Sequence, residues 1–125
     1  MPIHWSISHP NKLVVAICKG PLTRKDVEDY LDAVVIADGL PYRKIFDMTQ
    51  AEPAIPDDDM MGLGARIRAY ATMGTMGPLA IVASSAVSYE RAHLFAALAD
   101  AERPIKIFRE LHQARQWLNA QSHDD

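Results

Sequence analysis

The chain has 125 residues, 49% hydrophobic and 23% charged, which suits one globular domain with one core. Its net charge is -3 with acids and bases interleaved, so no run of Lys or Arg offers the basic surface that nucleic acid requires. The single cysteine, Cys18, rules out an internal disulfide; with no secretory-type N-terminus and no apolar stretch near the ~20 residues of a membrane span, the expectation is a cytoplasmic protein.

Ile3, Trp5 and Ile7 alternate with His4, Ser6 and Ser8, the period of a half-buried strand. His9-Pro10-Asn11-Lys12 reads as a tight turn, and Leu13 to Ile17 is continuously apolar, so the chain opens with a hairpin. Cys18 lies in this apolar run as a small core hydrophobe. Gly20-Pro21 breaks the strand. Thr23 caps a helix with Asp26 in a capping-box position, and Val27, Tyr30, Leu31, Val34 and Val35 form its apolar face. Gly39 and Pro41 stop it, and Arg43 to Met48 is the next strand. Thr49 to Pro56 reads as a loop, with Pro53 and Pro56 excluding regular structure. Asp57, Asp58 and Asp59 then meet the positive end of a helix dipole, and Met60, Leu63, Ile67 and Tyr70 continue a helical face. Gly62 and Gly64 weaken that helix; Gly74 and Gly77 end it. Leu79 to Ala83 is a strand, Ser84 and Ser85 a turn, and a helix from near Ser88 to Ala101 is expected to bury Leu94, Phe95 and Leu98. Pro104 leads into a strand over Ile105-Phe108, and Leu111, Ala114, Trp117 and Leu118 mark a final amphipathic helix.

The order is β-β-α-β-α-β-α-β-α, an α/β class with a central five-stranded mixed sheet flanked by about four helices. A single domain over 1–121 and a flexible tail over 122–125 are expected. That order resembles the STAS domain of anti-anti-sigma factors and sulfate-transporter tails, and more closely the bacterial SpoIIAA-like stand-alone proteins. The matching pieces are Gly20-Pro21-Leu22-Thr23, Lys44-Ile45-Phe46-Asp47-Met48, and Ile107-Phe108-Arg109 followed by Ala114-Arg115-Gln116-Trp117-Leu118.

The resemblance implies a non-enzymatic regulatory module acting through protein contacts. In anti-anti-sigma factors an Asp-Ser pair at a helix start carries the phosphoswitch serine. Here no such pair occurs: the segment reads Asp47-Met48-Thr49-Gln50-Ala51-Glu52, and Asp57-Asp58-Asp59 would repel a phosphate. The fold is also similar to lipid-exchange domains of the CRAL-TRIO type, which implies an apolar ligand as the alternative function.

No catalytic motif stands out. Asp47 ends a strand where open α/β sheets place ligands, yet suits better the capping of its own loop's amides. A receiver-type set of Asp47, Ser84 and Lys106 lacks the opening strand-helix unit and the acidic pair for magnesium. The three consecutive aspartates point in different directions on a helix, and the five histidines show no ligand spacing, so no metal and no cofactor are expected. Gly62-Leu63-Gly64 is not a dinucleotide fingerprint, and Ser84-Ser85 lacks a nucleophile elbow's glycines. Met60, Met61, Met73 and Met76 cluster with Gly74 and Gly77, an adaptable apolar surface that reads as core filler or as a receiving site. The expected contact surface is therefore Asp47, Met48, Thr49, Gln50, Met60 and Met61, for a protein partner or a second copy of the chain. The alternative is a small apolar ligand held between the methionine-rich helix and the sheet.

Overall fold

The computed structural model describes residues 2–52 and 54–121; the expected tail over 122–125 and Pro53 lie outside them. Strands β1 (Ile3–Ser8), β2 (Leu13–Pro21), β3 (Arg43–Glu52), β4 (Leu79–Val82) and β5 (Ile105–Phe108) form one sheet in the order β1-β2-β3-β4-β5. The β1–β2 pair is antiparallel and all later pairs are parallel. Helices α1 (Arg24–Ile36), α2 (Asp57–Ala71), α3 (Ala86–Leu98) and α4 (Leu111–Ala120) alternate with the strands. This is the mixed five-stranded, four-helix order read from the sequence.

Strand alternation sorts the side chains into two cores. Ile45, Ala80 and Val82 pack against Ala114 and Leu118 of α4 on one face. Val14, Ala16 and Cys18 pack with Val27, Tyr30 and Val34 of α1 on the other. Leu79, Ile81 and Ala83 meet Ala92 of α3 on that second face. Right-handed crossovers between successive parallel strands carry α1, α2 and α3 to the same side, and α4, following the last strand, covers the opposite one. Cys18 is fully buried, and its burial, then Asp47, pushes the thiol up to about 12, as a core residue requires.

The helix caps follow the local sequence closely. Thr23 and Asp26 form the reciprocal capping box. The Ser85 hydroxyl accepts from the Ser88 backbone N–H, so α3 begins at Ala86 and ends at Leu98, short of the expected Ala101. Its buried residues are Ser88 and Ala92, whereas Leu94, Phe95 and Leu98 are half-buried. Small residues take the closest approach on this helix, and the larger ones spread along its flanks.

The largest departure from expectation is at the end of β3. The segment Thr49–Glu52, expected as loop, continues the strand because β2 also continues through Gly20-Pro21. Lys19, Gly20 and Pro21 pair with Gln50, Ala51 and Glu52 after a register shift past Ile17. Gly20 adopts φ +70° beside that irregularity, a conformation that glycine enters without strain.

Candidate ligand cavity

Between the sheet and the α1–α2–α3 layer lies a cavity of about 70 Å³. From β3, alternation turns Lys44, Phe46 and Met48 toward it, and from β4 Leu79 and Ile81. The helices contribute Val27 and Tyr30 from α1, Met60 and Leu63 from α2, and Ala92 and Phe95 from α3. Met76, after α2, closes one side. The walls are almost wholly apolar, with three methionines able to change shape at small cost.

Five polar or charged residues, Tyr30, Lys44, Tyr70, Arg91 and Arg103, stand around this space and line it mainly with their carbon atoms. The Lys44 side chain is buried, with its residue 5% exposed, and Nζ donates to the carbonyls of Leu40 at 2.5 Å and Tyr42 at 2.7 Å. Burial first, and the nearby Arg103 charge second, bring its amine down to about 7. Arg103 comes from the α3–β5 connection; Nη1 donates to the Gly77 carbonyl at 3.3 Å, while buried Nε has no partner. Burial lowers the guanidinium to about 10, partly opposed by Tyr30. Tyr30 is 3% exposed and its hydroxyl has no hydrogen-bond partner. Burial raises that phenol above its ordinary value, against a lowering influence from Arg103.

The surrounding charges are already matched. Arg91 pairs with Asp57 at 2.6 Å and donates to the Ile55 carbonyl at 2.5 Å, tying α3 to the start of α2. Asp32 accepts from Arg66 and from the Tyr70 hydroxyl, tying α1 to α2. The Tyr70 and Arg66 hydrogen bonds hold the Asp32 carboxyl below the usual carboxylate range.

The fold has a known counterpart in shape. A DUF3478-family protein with a SpoIIAA-like fold from Shewanella loihica PV-4 superposes with a TM-score of 0.60 over 93% of this chain and 91% of that one, at 16% identity. The chain has the SpoIIAA-like fold. No protein-family model and no curated protein matches its sequence.

In this SpoIIAA-like frame the six residues singled out from the sequence separate. Met48 and Met60 line the cavity, and Met60 is only 6% exposed. Met61 is 56% exposed, so the two adjacent methionines do not share a surface. Asp47 is buried on the sheet's opposite face, where Oδ1 accepts from the Thr49 backbone N–H at 2.9 Å and the Thr49 hydroxyl at 2.7 Å. That is the amide-capping arrangement weighed for Asp47. Thr49 and Gln50 are exposed at the end of β3. Met76 lines the cavity, whereas Met73 is exposed. His93 packs edge-on against Tyr89, ring centroids 4.7 Å apart.

Sequence reasoning missed the polar residues around the cavity. A signal existed for Lys44: a charge at an alternating position of a strand buried on both faces must point inward somewhere. Tyr30 was legible as a buried face residue but not as an unpartnered hydroxyl. Arg103, in a short polar connection, carried no signal. Among the described residues no group of three His, Cys, Asp or Glu is placed to hold a metal ion. Among them, too, no helix is long and apolar enough to cross a membrane.

Proposed function

We propose that the chain is a non-enzymatic binding module that takes up a small apolar ligand between its three-helix layer and its sheet. The observation that carries this reading is the cavity itself, an apolar volume walled by Phe46, Met48, Met60, Leu63 and Phe95. An empty apolar volume forfeits dispersion contacts, and a ligand of matching shape restores them. Asp47, the acid best placed in sequence for chemistry, faces away from the cavity and is occupied by Thr49, which favours binding over catalysis.

Native mass spectrometry of freshly purified protein tests this reading. A retained small-molecule mass, removable by denaturation, is the expected result. Ala92 is 1% exposed on the cavity wall, so Ala92→Leu should fill the volume. Stability should change by less than about 2 kcal/mol, while ligand occupancy falls at least tenfold. Repeated clean spectra of wild type, or equal occupancy in the variant, would reject the cavity as the site.

A second reading, contact with another protein, is favoured by the exposure of Thr49, Gln50 and Met61. Substituting Met61 alone tests it, because Met61→Glu leaves the cavity wall untouched. Loss of self-association or of partner capture is expected; unchanged solution mass and capture would remove the reading.

A further inference from the structure

We propose that the open sheet face over β1 and β2, beside α4, receives an acidic amphipathic helix of a partner protein. Helix α4 packs mainly on β3, β4 and β5, and the other three helices pack on the opposite face. On the α4 side, β1 and most of β2 therefore have no described helix above them. Alternation turns Leu13, Val15 and Ile17 of β2 to that side, and all three are half-buried. Their antiparallel partners on β1, Ser8, Ser6 and His4, continue the floor to the sheet edge. One wall is α4. Trp117 leans on Phe108 of β5, ring centroids 5.8 Å apart, which turns the opposite flank of the helix, with Leu111 and Arg115, toward β2. Leu111 is 37% exposed there. Two strands at ~4.8 Å spacing give a floor about 10 Å wide, one helix diameter, and the run from Leu13 to Lys19 is as long as about 15 helical residues.

Charge decides the occupant. The framing elements β1, β2, the turn between them and α4 carry Lys12, Lys19 and Arg115 and no acid. Arg43, beside the floor on β3, adds a fourth cation, held by the carbonyls of Asn11 and Leu118. Asp47, on this face of β3, is buried and occupied by Thr49, and Glu110, just before α4, lies beside His112 at 3.8 Å. Among the described residues none of the four cations makes an ion pair. In the three-helix layer, by contrast, Arg24, Lys25, Arg66 and Arg91 are each matched by an acid. Unmatched positive charge around a half-buried apolar floor suits a helix with Leu on one face and Asp or Glu on its flanks. A second copy docked here about a two-fold axis would set these cations against themselves. A flat bilayer would meet α4, which stands about 10 Å above the floor, before it reached Val15.

The probe is a fluorescent helical peptide of about 15 residues with Leu on one face and Glu on both flanks; the same peptide with Lys for Glu is the control. Anisotropy should show wild type binding the Glu peptide at least tenfold more tightly than the Lys peptide. That affinity should fall several-fold between about 50 and 300 mM salt. Backbone amide NMR signals should shift along Leu13–Lys19 and around Arg115, and stay still across α1, α2 and α3. Lys19→Glu combined with Arg115→Glu, both at exposed positions, should weaken the Glu peptide at least tenfold. Val15→Glu should abolish its binding, and because Val15 is half-buried, the charge-reversed pair keeps the test decisive if that variant does not fold. Failure of the Glu peptide to bind, equal affinity for the two peptides, undiminished binding by the charge-reversed pair, or shifts confined to the three-helix layer would overturn the proposal. A wild-type dimer that Val15→Glu dissociates would assign the face to a second copy. Binding to phosphatidylglycerol vesicles without binding to the Glu peptide would assign it to a membrane, and either result likewise overturns the partner helix.

Discussion

Wild-type protein should resist denaturant more strongly at pH 9 than at pH 7, and Lys44→Met should abolish that rise. Lys44 is a base whose pKa in the folded state is about 7 against an ordinary 10.5. Between those values the unfolded chain holds a proton on this amine and the folded chain does not. Stability therefore increases with pH wherever the unfolded state binds more protons. Below pH 7 both states are charged, and the folded protein bears the full penalty of a buried ammonium. Cys18, with an ordinary value of 9.0 raised to about 12, and Tyr30, raised from 10.0, act with the opposite sign. Their thiol and phenol ionise more readily in the unfolded chain, so they erode stability above about pH 9. The clean window is thus pH 7 to 9. At about 1.4 kcal/mol per unit it spans roughly 2–3 kcal/mol, an order-of-magnitude figure for so buried a group. Urea midpoints across that range give the measurement. A flat wild-type profile, or an identical slope in Lys44→Met, would show that the amine is charged or solvated in the folded state.

How much of this was legible depends on what each residue's signal was about. Apolar period and punctuation determine layers, so Ile3-Trp5-Ile7, the Leu13–Ile17 run and the Val27-Tyr30-Val34 face led directly to the hairpin, the sheet and α1. Pairing partners are not in the local pattern. Gly20-Pro21 and Thr49–Glu52 each look like strand ends alone, and they become strand only because each supplies the other's hydrogen bonds. The methionines show the same limit. Spacing grouped Met60 with Met61, but a helix turns adjacent side chains about 100° apart, sending one to the cavity and one to solvent. Lys44 and Arg103 were hidden as cavity residues because a strand position and a short connection come to line one space only through tertiary placement.

Two glycines on one helix, Gly62 and Gly64, should respond oppositely to the same change. Both read in sequence as helix-weakening, and Gly→Ala in a helix interior is worth about 1 kcal/mol of favourable propensity. A Cβ at Gly64 would lie 2.6 Å from the Leu98 carbonyl oxygen and 2.9 Å from its carbon. That obstacle is the backbone of α3, where Arg68 also donates to the same oxygen, so it cannot turn aside. Gly64→Ala must push α2 from α3, and overpacking of this kind costs about 1–3 kcal/mol, outweighing the propensity gain. At Gly62 the nearest atoms to such a Cβ are those of the guanidinium end of Arg24, at 2.5 Å. Arg24 is a surface side chain that pairs with Glu28 at 2.9 Å and with Asp59 at 3.6 Å, and such solvent-screened pairs contribute little. Gly62→Ala should therefore be neutral or slightly stabilising, and Gly64→Ala destabilising. Gly64→Ala should also loosen the cavity, because α2 carries Met60 and Leu63 into its wall. Paired urea titrations, with hydrogen exchange over α2 and α3, read both effects. Equal stability of the two variants would mean that α2 floats free of α3, and that Gly64 is there for flexibility instead of contact.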